Sequence, residues 1–139
     1  MGSRRKSREL ALQILFELDL NYGDIGETIN QFWKNFEYPD DFRDFCERIV
    51  EGVELHRAEI DRLIELYSKN WSLSRIDLVD LNILRVAIFE LAYCPDIPLK
   101  VAINEAIELS KKFGTEKSPP FINGILDKIS QELKQEKVG

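Results

Sequence analysis

The sequence predicts an all-α protein. Apolar residues recur at three- and four-residue spacing along nearly the whole chain, and no segment alternates apolar and polar as a half-buried strand would. The five prolines fall between or at the edges of these periodic segments. A chain of 139 residues has room for one domain, or for two small subdomains sharing a core.

Taken in order, Leu10, Ala11, Ile14, Leu15 and Leu18 predict a first helix from about Ser7 to Asn21. Gly23 and Gly26 interrupt it. Ile25, Ile29, Phe32, Trp33 and Phe36 mark a short second helix, closed by Tyr38-Pro39. Phe42, Phe45, Cys46, Ile49 and Val53 mark a third, with Asp40 or Asp41 as its cap. The phase slips around His56, which predicts a break or kink before Ile60, Leu63, Ile64 and Tyr67 on a fourth. "NWSLSRID" reads as a connector, with Ser74 or Asp77 as N-cap. Leu78, Leu81, Leu84, Ile88 and Leu91 carry a fifth helix into the Pro-bounded turn "CPDIP". Pro98 suits the first turn of a sixth, with Ala102, Ala106 and Leu109 inward and Gly114 as its stop. "TEKSPP" reads as a loop, and Ile122, Ile125, Leu126, Ile129 and Leu133 make the seventh helix. The seams at "EYPDD" and "NWSLSR" divide about seven helices into two small packed bundles within one domain, residues of about 1–70 and about 71–139.

Composition narrows the function classes. Apolar residues make up 44% and charged residues 32%, the balance of a soluble globular protein. No apolar run approaches the ~20 residues of a membrane span, and no signal-peptide pattern opens the chain, so a cytoplasmic protein is expected. Cys46 and Cys94 form no CxxC pair and read as reduced core residues. His56, the only histidine, has no Ser, Cys or Asp at partner spacing. No cluster has zinc-ligand spacing, and no Gly-rich loop could cradle phosphates. Glu105 and Glu108 read as a solvated helix face. No catalytic residue, metal or cofactor is expected.

Charge gives the opposite signal at one place. Arg4, Arg5, Lys6 and Arg8 stand in "SRRKSREL", although the chain carries a net charge of -6; without those four, 15 basic residues face 25 acids. Such asymmetry fits an arm aimed at an anion, or a solvated terminus. On a helical wheel Leu12 and Phe16 fall opposite the core stripe, in line with Arg5 and Glu9. That second apolar side suits further intramolecular packing, a homodimer contact, or a ring for a base to stack on. Four cations on four single-strand phosphates imply a log-log salt slope of about -2.8, a weakening of roughly 50-fold between 50 and 200 mM salt. Charge alone is therefore loose, and stacking would add about 1–3 kcal/mol per base.

The stretch "ILRVAIFELAYCPDIPLKVAINEAIELSKKFGTEKSPPFINGILDK" closely resembles the C-terminal half of the NusB family of bacterial transcription antitermination factors. "RRKSRELALQILFELDL" resembles the same family's basic start and first helix, and "NWSL" its connector; about residues 21–58 carry no resemblance. The resemblance implies a non-enzymatic fold of two helical bundles that binds the boxA element of nascent RNA together with NusE, a small-subunit ribosomal protein. It also implies entry into the RNA polymerase assembly that resists termination on ribosomal RNA operons, and in some members a homodimer that covers the RNA surface. By position, the family's arginine-rich start falls on Arg4, Arg5, Lys6 and Arg8, its RNA-facing aromatic on Phe16, and its RNA-side Phe and Asn on Phe121 and Asn123 of "FING". Asp80 matches an acidic position that looks toward NusE. Arg85 and Glu90 would hold the fold, and Trp71 would pack at the seam. Two departures stand out: Pro120 replaces a Lys common before this Phe, and Lys117 replaces an acid, so Lys117 is expected to supply the lost phosphate contact. Two alternatives remain open: an RNA-binding module like the one preceding the catalytic domain of some ribosomal RNA cytosine methyltransferases, and an interaction bundle dimerising through Leu12 and Phe16. Membrane attachment is not expected.

Overall fold

The computed structural model describes residues 2–21, 23–35, 40–69 and 72–138. Phe36, Tyr38, Pro39 and Trp71, given roles above, lie outside the described residues. Seven α-helices appear among them: α1 (Gly2–Asn21), α2 (Ile25–Asn35), α3 (Asp40–Leu55), α4 (Arg57–Tyr67), α5 (Leu78–Tyr93), α6 (Leu99–Phe113) and α7 (Ser118–Val138). A single 3₁₀ turn, Leu73–Arg75, precedes α5.

The helix ends follow local chemistry. Asp77 caps α5 by accepting the Val79 N–H at 3.1 Å, as one of the two expected caps. Asp24 caps α2 by accepting the Glu27 N–H at 3.0 Å, so Gly26 falls inside the helix rather than in a break. The expected kink is the single residue His56, whose N–H closes α3 on Gly52 while its carbonyl opens α4 by accepting from Ile60. One turn earlier, Gly52 admits the Phe89 ring against α3; a Cβ at position 52 would overlap that ring.

Two boundaries differ from the sequence reading. The helix α1 begins at Gly2 instead of about Ser7, so the basic residues form its first turns and not a frayed arm. Arg and Lys are good helix formers, and the Ser7 hydroxyl pins this start by donating to the carbonyl of Phe42 at 2.8 Å. Similarly, α7 begins at Ser118, inside the expected "TEKSPP" loop. Pro119 and Pro120 fit there because first-turn N–H groups have no intrahelical acceptor to lose.

At the centre lies α5, packed against α1, α3, α4, α6 and α7. Every residue from Leu81 to Leu91 is buried, the state expected of a helix apolar on all sides. The three polar residues of that span, Asn82, Arg85 and Glu90, are satisfied in place. Arg85 donates to Asp19 at 3.0 Å and to Asp61 at 2.9 and 3.1 Å, while Asn82 donates to Asp19 at 2.9 Å. Arg57 joins the same carboxylate of Asp19 at 2.6 Å. Burial pushes the Asp19 carboxyl pKa up, but hydrogen bonds from Arg57 and Asn82 and the charges of Arg85 and Arg57 bring it below its ordinary value. Glu90 holds Arg8, as described below. Cys46 and Cys94 are both free and buried, with burial pushing their thiols up to about 12 and about 11.

Candidate nucleic-acid interface

The N-terminal cations are divided by their partners. Arg8 is not a surface cation: it is 3% exposed, and its Nε and Nη2 donate to Glu90 at 2.6–3.1 Å while Nη1 donates to Glu105 at 3.2 Å. This corrects its assignment to phosphate, because a buried, fully paired guanidinium cannot leave for solvent without stranding Glu90. Glu105 is likewise no solvated acid, since it also accepts from Arg5 at 2.8 Å. Arg4 and Arg5 stay about half exposed. Arg4 lies over the Phe45 ring, 4.3 Å from its centroid, and 3.7 Å from Asp96. Asp96 also accepts from Arg48 at 2.7 Å, and that bond holds its carboxyl pKa down at about 2. Lys6 reaches Glu9 at 3.9 Å, and Lys112 binds Glu9 at 2.8 Å. Only the Arg4–Asp96 pair is exposed on both sides, and such a pair contributes little; Arg5 and Lys6 are themselves exposed but pair with the largely buried carboxylates of Glu105 and Glu9.

Phe16 lies on the same helix and is only partly buried. Its ring lines an almost wholly apolar notch of about 230 Å³ with Leu12, Gln13, Val79 and Phe113. Leu12, which the wheel puts opposite the main stripe with Phe16, is buried at 4% exposure by intramolecular packing and forms part of the notch wall. The helix turns one ring outward while its neighbour one turn earlier packs inward. Val79 and Phe113 were not anticipated from the sequence, because both stand at helix ends away from the apolar stripes.

Phe121 lines a different groove, with Tyr67, Lys69, Gly124 and Lys128. That groove also pairs aromatic rings with cations, and Lys69 holds a positive φ of 54° at the end of α4. Asn123 and Lys117 are exposed. Between notch and groove runs the turn 114–118. Thr115 N–H donates to the Ser118 hydroxyl at 3.0 Å, the reciprocal half of a capping box. Asp80 lies in the first turn of α5; its Oδ1 is buried with no hydrogen-bond partner, and burial raises its carboxyl pKa.

What the fold and surface define is a helical binding protein, with rings and exposed cations along one helix and no nucleophile–base pair among the described residues. The chain belongs to the NusB family, a family of non-enzymatic transcription antitermination factors, whose sequence profile matches residues 5–131. It is 48% identical over 136 residues to the transcription antitermination protein NusB of Desulfatibacillum aliphaticivorans, covering 98% of this chain and 95% of that one. Among solved structures it is similar to NusB of T. maritima, with a TM-score of 0.83, 37% identity, and coverage of 93% of this chain and 91% of that one. It is similar also to the NusB chain in a crystal structure of the antitermination factors NusB and NusE in complex with double-stranded RNA, with a TM-score of 0.83, 28% identity, and coverage of 95% and 98%.

Proposed function

We propose that this protein recognises boxA-type single-stranded RNA together with NusE, and so supports antitermination by RNA polymerase on ribosomal RNA operons in the cytoplasm. The observation that carries this reading is the partly exposed Phe16 ring at an apolar notch, on the helix whose first turns present Arg4, Arg5 and Lys6. The cations hold phosphates while the ring takes a base, a division common in single-strand recognition. Lys117, Phe121 and Asn123 extend the contact, and Asp80 meets NusE. With Arg8 withdrawn into the core, three arm cations imply a log-log salt slope of about -2.1, an 18-fold weakening or so between 50 and 200 mM. The division into sub-bundles of about 1–70 and about 71–139 belongs to this same proposal, with α5 bridging them.

Labelled boxA-like RNA and a scrambled RNA of equal length, titrated with and without the NusE homologue at two salt concentrations, test it. Higher affinity for boxA, increased by NusE, is expected; equal affinity for both RNAs under every condition refutes sequence recognition. Lys117→Glu is expected to weaken binding at low salt, and unchanged binding removes Lys117 from the site. The apolar notch supports a second reading, a homodimer that covers it. Light scattering on Phe16→Ala, compared with the unsubstituted chain, reports whether that ring joins two copies.

A further inference from the structure

We propose, resting on the single-strand reading above, that Lys112 at the C-terminal end of α6 is a further phosphate contact of the RNA surface. It carries the strand past Glu9, between the arm cations of α1 and the Phe16 notch.

Spacing along α1 creates the need for such a contact. Arg5, Glu9, Leu12 and Phe16 fall on one side of the helix. At about 1.5 Å per residue, Glu9 lies about 6 Å beyond Arg5 and about 10 Å short of Phe16. A strand held by Arg4, Arg5 and Lys6 and stacked on Phe16 therefore crosses a carboxylate, which repels phosphate. The rest of the helix cannot answer that charge, since no Lys or Arg stands between Glu9 and Asn21.

The missing charge comes from α6. Lys112 Nζ donates to Glu9 Oε1 at 2.8 Å, and Lys6 Nζ stands 3.9 Å from the same oxygen. Two ammonium groups thus flank one carboxylate. The Lys112 side chain is 58% exposed and that of Glu9 only 11%, so the pair shows its cation to solvent and hides its acid. An ammonium has three N–H donors, so Lys112 can keep Glu9 and still donate to a phosphate oxygen. Its Nζ also lies 5.5 Å from the centroid of the Phe113 ring, within cation–π reach, and Phe113 walls the notch that Phe16 lines. Lys112 is therefore the joint between the cations and the notch. Arg5, Glu9 and Lys112 line one groove of about 350 Å³, so the arm and Lys112 share a concave surface. Lys111 provides the comparison. It is just as exposed, but pairs with Glu108 on its own helix at 3.5 Å. Both lysines suit the C-terminus of a helix; Lys112 is the one bonded to α1. With Arg8 withdrawn, Lys112 brings the cations beside the notch back to four.

The test uses the full chain without NusE. Affinity for the boxA-like strand and for the scrambled strand is measured by fluorescence anisotropy between 50 and 200 mM salt. The samples are the unsubstituted protein, Lys112→Gln, Lys111→Gln, Glu9→Gln, and Glu9→Gln with Lys112→Gln. Lys112→Gln is expected to weaken binding at 50 mM and to make the log-log salt slope shallower by about 0.7. Over that rise it then loses about 2.6-fold less affinity than the unsubstituted protein. Lys111→Gln removes the same charge one residue away and is expected to leave the slope unchanged. Glu9→Gln is expected to tighten binding, and adding Lys112→Gln to it to weaken binding again. An unaltered slope in Lys112→Gln overturns the inference, because a purely structural pair lowers the melting temperature and leaves the slope in place. An equal change of slope in Lys111→Gln overturns it as well, assigning the effect to the general field of α6. So does a Lys112→Gln substitution without effect in the Glu9→Gln background, where Lys112 has no acid left to neutralise. Equal affinity for the two RNAs overturns the recognition reading, whereas the slope comparison, read on either strand, decides Lys112; binding to neither strand overturns both.

Discussion

Arg8 and Asp80 differ in how completely their charge is answered. The Arg8 guanidinium donates to two carboxylates, and its main partner Glu90 is 1% exposed. Removing one member of such a pair leaves a buried, unmatched charge, so Glu90→Ala should cost about 3–5 kcal/mol, read as a lower urea midpoint at unchanged slope. Replacing both members, as Arg8→Met with Glu90→Leu, should recover most of that loss. Asp80 behaves oppositely. Its raised pKa means that the ionised form is disfavoured by folding, so its contribution is best below the ordinary carboxylate pKa and declines as pH rises through the raised value. Asp80→Asn should therefore raise the melting temperature at neutral pH, and the gain should shrink as the buffer is acidified below the ordinary carboxylate range. No gain at neutral pH would mean that burial does not burden this carboxylate.

At the level of the helix, two glycines that look alike in sequence have different surroundings. A Cβ at Gly124 meets nothing within 4 Å, and the residue lies exposed within α7. Gly124→Ala should therefore stabilise by about 0.5–1 kcal/mol. Gly52→Ala forces the Phe89 ring to move and should destabilise by about 1–3 kcal/mol. Thermal unfolding of the two variants should show shifts of opposite sign. Such differences also mark what the sequence discloses. Helix phase was readable because apolar spacing is local, and α3 through α6 fall where Ile49, Ile60, Leu84 and Ala106 put them. The starts of α1 and α7 were not readable, since neither shows in apolar spacing: Glu105 holds the basic turns of α1 from a distance, and the Ser118 hydroxyl fixes the start of α7 by accepting from the Thr115 N–H. Leu12, off the main stripe, takes the intramolecular packing that its position left open, because α1 is packed by α2, α3 and α5. Phe16 stood out correctly as a ring off the main stripe, but Val79 and Phe113 gave no periodic signal.

Across the whole molecule, charged groups also tie the helices together. Asp19 on α1 receives Arg57 from α4 and Arg85 and Asn82 from α5. Its lowered pKa means that this stabilisation is complete above the ordinary carboxylate value and is lost as pH falls through the lowered one. Acid titration followed by near-ultraviolet circular dichroism should show a loss of tertiary signal that is shifted to higher pH in Asp19→Asn. An unshifted transition would assign acid unfolding to other carboxylates. No helix among the described residues is long and apolar enough to cross a membrane.

The span of these contacts has a consequence for synthesis. Glu90 follows Arg8 by 82 residues, and Glu105 follows Arg5 by 100. While the ribosome is still extending the chain, the opening helix emerges with its arginines and Asp19 unmatched, and it cannot settle until the fifth and sixth helices arrive. The Phe16 notch, walled also by Val79 and Phe113, is thus complete only once the sixth helix has been made.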